Sequence, residues 1–105
     1  MDRVMWRAKL LPGMKDEYIK RHDEIWLEMT KLLNEAGVHN YSIFCHNDEL
    51  FGYYEATLGA DHASSIQAAS PIVAKWALHM DGLMEMLKDE ATGRPLRLEQ
   101  VFYHE

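Results

Sequence analysis

The stretch that most constrains the fold is residues 14–36, which contain neither proline nor glycine. Pro12 and Gly13 precede it, and Gly37 follows it. Within it, one set of side chains recurs at steps of three and four residues: Met14, Tyr18, His22, Ile25, Met29 and Leu32. This spacing predicts a single long helix with one face turned toward a sheet, starting after a turn and ended by Gly37.

Four other segments have the patterns typical of strands. Residues 4–11 alternate apolar and polar side chains after the amino terminus. Residues 39–46 and 50–57 are rich in aromatic and apolar side chains, and the polar turn Asn47-Asp48-Glu49 between them predicts a β-hairpin. Residues 96–103 alternate again and are predicted to form the last strand.

A second major helix is predicted to begin at Ser70-Pro71, because proline is tolerated in the first helical turn. Its apolar stripe continues to Leu87, and residues 88–95 are predicted to be a loop. Before it, Asp61 is a candidate cap for a short helix over residues 62–69.

The resulting order, β-α-β-β-α-β, is that of a ferredoxin-like α+β domain, here a single domain over residues 1–105. Two helices would cover one face of an antiparallel sheet and leave the other face open. Aromatic residues occur at both parities of the strands: Trp6, Tyr41, Phe51, Tyr53, Tyr54 and Tyr103. A second copy of the chain is the expected cover for the open face, which predicts a homodimer.

Composition excludes several classes of partner. Lys and Arg total 11 against 17 Asp and Glu, so the net charge of −6 argues against nucleic acid and anionic membranes. No apolar run approaches the roughly 20 residues of a membrane span, and no signal-peptide pattern precedes residue 7, which predicts a cytoplasmic protein. The single cysteine, Cys45, cannot form an internal disulfide. Nucleotide-binding, thiol-redox and hydrolase motifs are absent, and the six histidines are scattered, so we expect no cofactor and no metal site.

The candidate chemistry lies on the predicted long helix, where Tyr18, His22 and Trp26 are spaced four residues apart. His22 is either a packed histidine with a satisfied hydrogen bond or an acid/base group in a pocket between helix and sheet. Tyr41 is predicted to lie near that pocket, although sheet core or dimer interface fits it as well. Trp76 in the second helix is either core or a flat apolar wall for a sugar ring.

Four segments resemble those of the L-rhamnose mutarotases, and the likeness extends over nearly the whole chain. They are residues 18–26 (YIKRHDEIW), residues 37–43 (GVHNYSI), Lys75-Trp76 and residues 100–103 (QVFY). The resemblance implies a dimeric α+β barrel and a cytoplasmic enzyme that interconverts the α and β anomers of L-rhamnose without a cofactor. It also implies that His22 is the proton donor and that Tyr18, Tyr41 and Trp76 bind the sugar.

Three segments depart from the family's pattern. Ala77 stands where a second tryptophan is usual, and residues 88–95 differ from the usual loop, so L-fucose or another 6-deoxy or pentose aldose is an alternative substrate. Leu27 stands where proline is common, which is expected only to smooth the long helix. A different class also remains open, because folds of this kind include cofactor-free monooxygenases and modules that bind a ligand without turnover.

Overall fold

The computed structural model describes all residues, 1–105, and has an antiparallel four-stranded sheet in the order β2-β3-β1-β4. The elements are β1 (Asp2–Leu10), α1 (Lys15–Asp23), α2 (Leu27–Glu35), β2 (Val38–His46), β3 (Glu49–Ala56), α3 (Ala60–Ala69), α4 (Pro71–Met80) and β4 (Met84–Met86). The ferredoxin-like α+β prediction is confirmed, although two helices, α1 and α2, replace the single long helix expected over 14–36. The short helix predicted over 62–69 is present as α3. No helix combines the length and the apolar character needed to cross a bilayer.

The core lies between the sheet and the helices. Alternate residues of β1 from Val4 to Leu10 are buried, as the period-two pattern predicts. Leu10 and Leu50 are each only 1% exposed. The predicted hairpin is also confirmed, because β2 and β3 pair and the turn residues Asn47 and Asp48 adopt φ of 48° and 62°, the left-handed conformation of tight hairpin turns.

The prediction of one unbroken helix over 14–36 is wrong, because α1 ends at Asp23 and α2 begins at Leu27. Trp26 is extended, with φ −67° and ψ 142°, and its carbonyl accepts from the amides of Met29 and Thr30 to start α2. The expectation that Leu27 smooths the helix is wrong for the same reason. The spacing of residues within 14–36 does not reveal this break. The break coincides with packing of the Trp26 ring against Trp76, which is fifty residues away in the sequence.

The caps of the second helical pair are only partly as predicted. Asp61 does not cap α3, which begins after Gly59. A distant side chain does so instead, because Asp2 Oδ2 accepts from the Ala60 amide at 2.8 Å. Pro71 takes the first position of α4 as predicted, and Ser70 caps that helix.

The last strand lies earlier in the chain than predicted. The second helix stops at Met80 rather than running to Leu87, and Met84–Met86 form β4 along β1. The predicted strand over 96–103 is wrong, since only Arg97 forms a single bridge, opposite Trp6. β4 occupies the Ala8–Leu10 part of the β1 edge, so residues 96–103 meet only a short remaining edge.

Candidate functional site

A wide cleft opens between the sheet and the helices, and all four predicted site residues line it. Tyr18 and His22 come from α1, Tyr41 from β2 and Trp76 from α4. Residues far apart in sequence therefore face one space, and most side chains along its walls are apolar or aromatic. Such a space, with a few polar groups, is typical of small-molecule sites.

The orientation of His22 is fixed by its own helix. Nδ1 lies 3.1 Å from the backbone oxygen of Tyr18, one turn earlier. A carbonyl oxygen only accepts, so Nδ1 carries the hydrogen and Nε2 of the neutral ring keeps its lone pair. Burial lowers the pKa of His22, and the Tyr18 carbonyl and the Asp23 charge offset this only in part. At neutral pH the imidazole is therefore neutral, with Nε2 able to accept a proton.

Tyr18 is the buried member of this pair. Its ring lies against that of His22, with centroids 4.3 Å apart and planes at 32°. Burial raises the pKa of the Tyr18 hydroxyl, and the neighbouring Cys45 raises it further. The hydroxyl therefore stays protonated at neutral pH and is available as a hydrogen-bonding group. The Cys45 thiol is exposed and lines the cleft.

Trp76, on α4, lies beside His22 inside an aromatic cluster. Its ring meets His22 at 5.4 Å and Trp26 at 5.1 Å, each nearly perpendicular. His79 packs against both tryptophans, at 5.1 Å from Trp26 and 5.4 Å from Trp76. Trp26 lies at the break between α1 and α2, and there its ring packs against Trp76 and His79. This packing holds the Trp76 ring in place.

Tyr41 reaches the cleft through a β-bulge. The pairing of β2 with β3 shifts between His39 and Ser42, where Asn40 has φ 49°. Asparagine tolerates this left-handed conformation, and a bulge re-aims the side chains beside it. Asn40 Nδ2 also donates to Glu55 Oε1 at 2.8 Å, which ties the bulge to β3.

The Tyr41 hydroxyl is the inner end of a side chain that is 38% exposed overall. It accepts a hydrogen bond from Trp6 Nε1 at 2.8 Å, and the ring lies 5.1 Å from that of Tyr54. Burial raises the pKa of Tyr41, although the bond from Trp6 acts in the opposite direction. Tyr41, like Tyr18, is a neutral hydroxyl at physiological pH.

Sequence reasoning assigned no role in this site to Trp6, Tyr54 and His79, and it did not pair Trp26 with Trp76. The spacing of Trp26 from His22 was visible, but as a helix position rather than as a partner of Trp76. The alternation of β1 placed Trp6 on the buried face without indicating that its indole reaches Tyr41. Ala77 lines the cleft beside Trp76, and it is exposed. Its small side chain leaves space at that part of the cleft.

The fold and the cleft together define a class of protein: an α+β domain that binds a small molecule. Its cleft holds one histidine and tyrosine hydroxyls among aromatic rings. The L-rhamnose mutarotase family model matches residues 3–104, and the chain belongs to that family. It is accordingly an isomerase of the mutarotase class. An L-rhamnose mutarotase of Jannaschia sp. strain CCS1 is 42% identical over 98% of each chain. One of Sinorhizobium fredii is 39% identical, covering 92% of this chain and 94% of its own.

Solved structures agree with the fold. The crystal structure of an L-rhamnose mutarotase from Formosa agariphila superposes with a TM-score of 0.80 at 34% identity and full coverage of both chains. The tetracenomycin F2 cyclase of Streptomyces glaucescens superposes with a TM-score of 0.68 over 100% of this chain and 97% of its own. At 17% identity, the cyclase is a likeness of fold alone.

Proposed function

We propose that this chain interconverts the α and β anomers of L-rhamnose, with His22 as the acid/base group. The observation that carries the proposal is the fixed tautomer of His22, which keeps Nε2 free to exchange protons with a ligand in the cleft. Mutarotation requires a proton to leave the anomeric hydroxyl and a proton to reach the ring oxygen. Both oxygens are bonded to C1, so a single nitrogen can serve them in turn.

The proposed reaction begins with the neutral imidazole. Nε2 takes the proton of the anomeric hydroxyl, the C1–O5 bond breaks, and the imidazolium returns the proton to O5, which leaves an open-chain aldehyde. Rotation about C1–C2 presents the other face of the carbonyl. In the reverse steps O5 attacks C1, its proton passes to Nε2, and Nε2 protonates the new anomeric oxygen. His22 acts as proton acceptor and then as proton donor, and no proton is gained or lost overall.

The other walls of the cleft support binding of a pyranose. In the proposal Tyr18 and Tyr41 hydrogen-bond sugar oxygens through hydroxyls that burial keeps protonated. Trp76 offers a flat apolar surface to the C–H groups of the ring. Ala77 leaves room beside Trp76, and this favours testing L-fucose as a second substrate.

Saturation transfer between the two anomeric protons, observed by proton NMR, tests the reaction directly. We expect the protein to accelerate exchange of L-rhamnose, and the variant His22→Ala to lose about 100-fold or more of that rate. His62→Ala is the matched control, because His62 is exposed on α3 and does not line the cleft. Exchange at the original rate in His22→Ala would contradict the assigned role. Tight sugar binding without exchange would instead favour a ligand-binding module.

The proposed assembly is a homodimer formed through the sheet face that turns away from the helices. That face carries Met5 and Phe44, which are 36% and 68% exposed, beside the half-buried Phe51 and Tyr53. An apolar patch of this kind on a small domain is typical of an interface. The proposed location is the cytoplasm, in keeping with the free thiol of Cys45.

A further inference from the structure

The indole of Trp6 spans a neighbouring strand to reach the site. Trp6 belongs to β1 and Tyr41 to β2, and β3 lies between them in the sheet. The residue of β3 paired with Trp6 is Gly52. A Cβ atom built on Gly52 would lie 2.0 to 2.4 Å from Cε2, Cζ2 and Nε1 of the indole. The ring therefore lies directly over the backbone of β3, and only glycine at position 52 leaves it that path.

The hydrogen bond at the end of this path has a fixed direction. An indole N–H is only a donor, so in the 2.8 Å contact the Tyr41 oxygen accepts. A phenol that accepts in this way still has its own hydrogen to donate. No protein acceptor for that hydrogen is found, and the Tyr41 side chain lines the cleft beside Tyr18 and His22.

We propose that Trp6 is a positioning residue that makes Tyr41 a hydrogen-bond donor to a sugar oxygen. This inference rests on the proposed function, in which Tyr41 binds the substrate. Sugar hydroxyls both donate and accept, so a freely rotating phenol would have to be ordered when the ligand binds. The bond from Trp6 holds the Tyr41 oxygen in place beforehand and polarises its O–H bond, which strengthens the donation.

Steady-state exchange kinetics of Trp6→Phe, Tyr41→Phe and the double variant test this coupling. Phenylalanine at position 6 keeps an aromatic ring over Gly52 but has no N–H. We expect each single variant to raise KM for L-rhamnose about 3- to 10-fold with little change in kcat, the effect of one neutral hydrogen bond. The double variant should resemble Tyr41→Phe alone, because Trp6 acts only through that hydroxyl. A double variant whose KM rises by the product of the two single effects would overturn the proposal.

The indole N–H resonance of Trp6 in ¹H–¹⁵N spectra gives a second readout, which does not depend on Trp6→Phe folding. We expect it to move upfield in Tyr41→Phe and downfield when L-rhamnose is added to the unaltered protein. The backbone amide of His62, which is exposed on α3 and outside the cleft, is the internal reference. A Trp6 resonance that ignores both changes would overturn the proposal.

The two proposals fail in distinguishable ways. If His22→Ala abolishes exchange while the Trp6 resonance and the KM values stay unchanged, the proposed function stands and the role of Trp6 does not. If the unaltered protein exchanges no aldose, the proposed function falls, and the sugar titration of the Trp6 resonance alone decides the positioning role.

Discussion

The chemistry of His22 depends on which of its ring nitrogens is already engaged. The carbonyl of Tyr18 engages Nδ1, and burial disfavours the charged ring. The first requires no partner outside the helix, since residues four apart are neighbours on its surface. The burial of the ring depends on tertiary packing, in which Trp76 of α4 lies against it. A general base thus arises from one local and one tertiary condition.

The pH dependence of exchange is the first prediction at this scale. Because burial lowers the pKa of His22 below its ordinary value of about 6.5, the active neutral form predominates at pH 7. We expect the exchange rate to rise with pH along a single acid limb, with its midpoint below about 6.5, and then to stay level through neutral pH. Rates measured by saturation transfer from pH 4.5 to 8 check this, after subtraction of the uncatalysed rate.

The lowered pKa of His22 also predicts how the free energy of unfolding depends on pH. The unfolded chain binds a proton at His22 more readily than the folded chain does, so this contribution to the free energy of unfolding is complete above about pH 6.5. It is lost as the pH falls through the unfolded and then the folded pKa. His22→Gln should flatten that part of the stability profile in urea titrations.

For the exchange rate, a fall between pH 6 and 8 would argue against a neutral imidazole as the base.

Gly52→Ala is the second prediction at the residue scale. The added methyl would lie 2.0 Å from the Trp6 ring, far inside contact distance, so the indole must move. We expect a loss of about 1–3 kcal/mol in the free energy of unfolding, as for other overpacked sites. Urea denaturation measures it. Gly82→Ala is a control for steric crowding, because a Cβ there meets nothing within 4 Å, although its φ of 84° adds backbone strain.

At the scale of elements, the boundary between α1 and α2 has the geometry that proline prefers. Leu27 occupies the first helical position, its amide donates no backbone hydrogen bond, and Trp26 before it is already extended. Both conditions favour proline at position 27. Leu27 is 68% exposed, so its side chain contributes little to the core.

We therefore expect Leu27→Pro to leave the free energy of unfolding unchanged or to raise it by up to about 1 kcal/mol. Leu27→Ala isolates the loss of the side chain. Thr30→Pro is the contrasting variant, because the Thr30 amide donates to Trp26, and we expect it to lose about 3 kcal/mol. Thermal unfolding of the three variants measures this. Strong destabilisation by Leu27→Pro would mean that the two helices act as one.

The elements that the sequence predicts well are those whose signals are local. The hairpin follows from alternation on both sides of a polar turn, and Pro71 after a capping serine starts α4. The helix break at residues 24–26 contains no proline or glycine and coincides with a contact to Trp76, so no local signal reveals it. Residues 96–103 have the alternation of a strand, but pairing also needs a free edge, and β4 already holds most of that edge.

The whole molecule presents one sheet face to the helices and the other outward. Phe44 lies on the edge strand β2, on the outward face and opposite Phe51 in the sheet register. In the proposed homodimer this face is covered by a second copy. We expect a change on this face to alter the association of two copies and not the fold of each copy.

Phe44→Glu tests the homodimer. A buried carboxylate without a partner opposes association, so we expect sedimentation velocity to show a monomer with unchanged circular dichroism. Leu27→Glu is the matched control, since Leu27 is also 68% exposed but lies on the helical side. A dimer that persists in Phe44→Glu, or that is lost equally in Leu27→Glu, would assign the interface elsewhere.

The site is less predictable than the fold because it is assembled across the whole molecule. Spacing within α1 indicates Tyr18 and His22 as candidates, the strand and helix patterns leave Tyr41 and Trp76 as either core or site residues, and only the resemblance implies that they bind a sugar. The bulge at Asn40 and the reach of Trp6 depend on strand register, which adjacent residues do not encode. These partners become visible only when β1, β2 and β3 are side by side.

The path of the Trp6 indole over Gly52 has a consequence for anyone who redesigns this cleft. Positions 6, 41 and 52 have to be chosen together. The hydroxyl at position 41 accepts its hydrogen bond from the indole at position 6, and that indole fits over β3 only when position 52 is glycine. A library that varies them separately would consist mostly of chains with a blocked ring or an unsupported phenol. Varied together, the three positions offer a route to new sugar specificity that leaves His22 and its helix untouched.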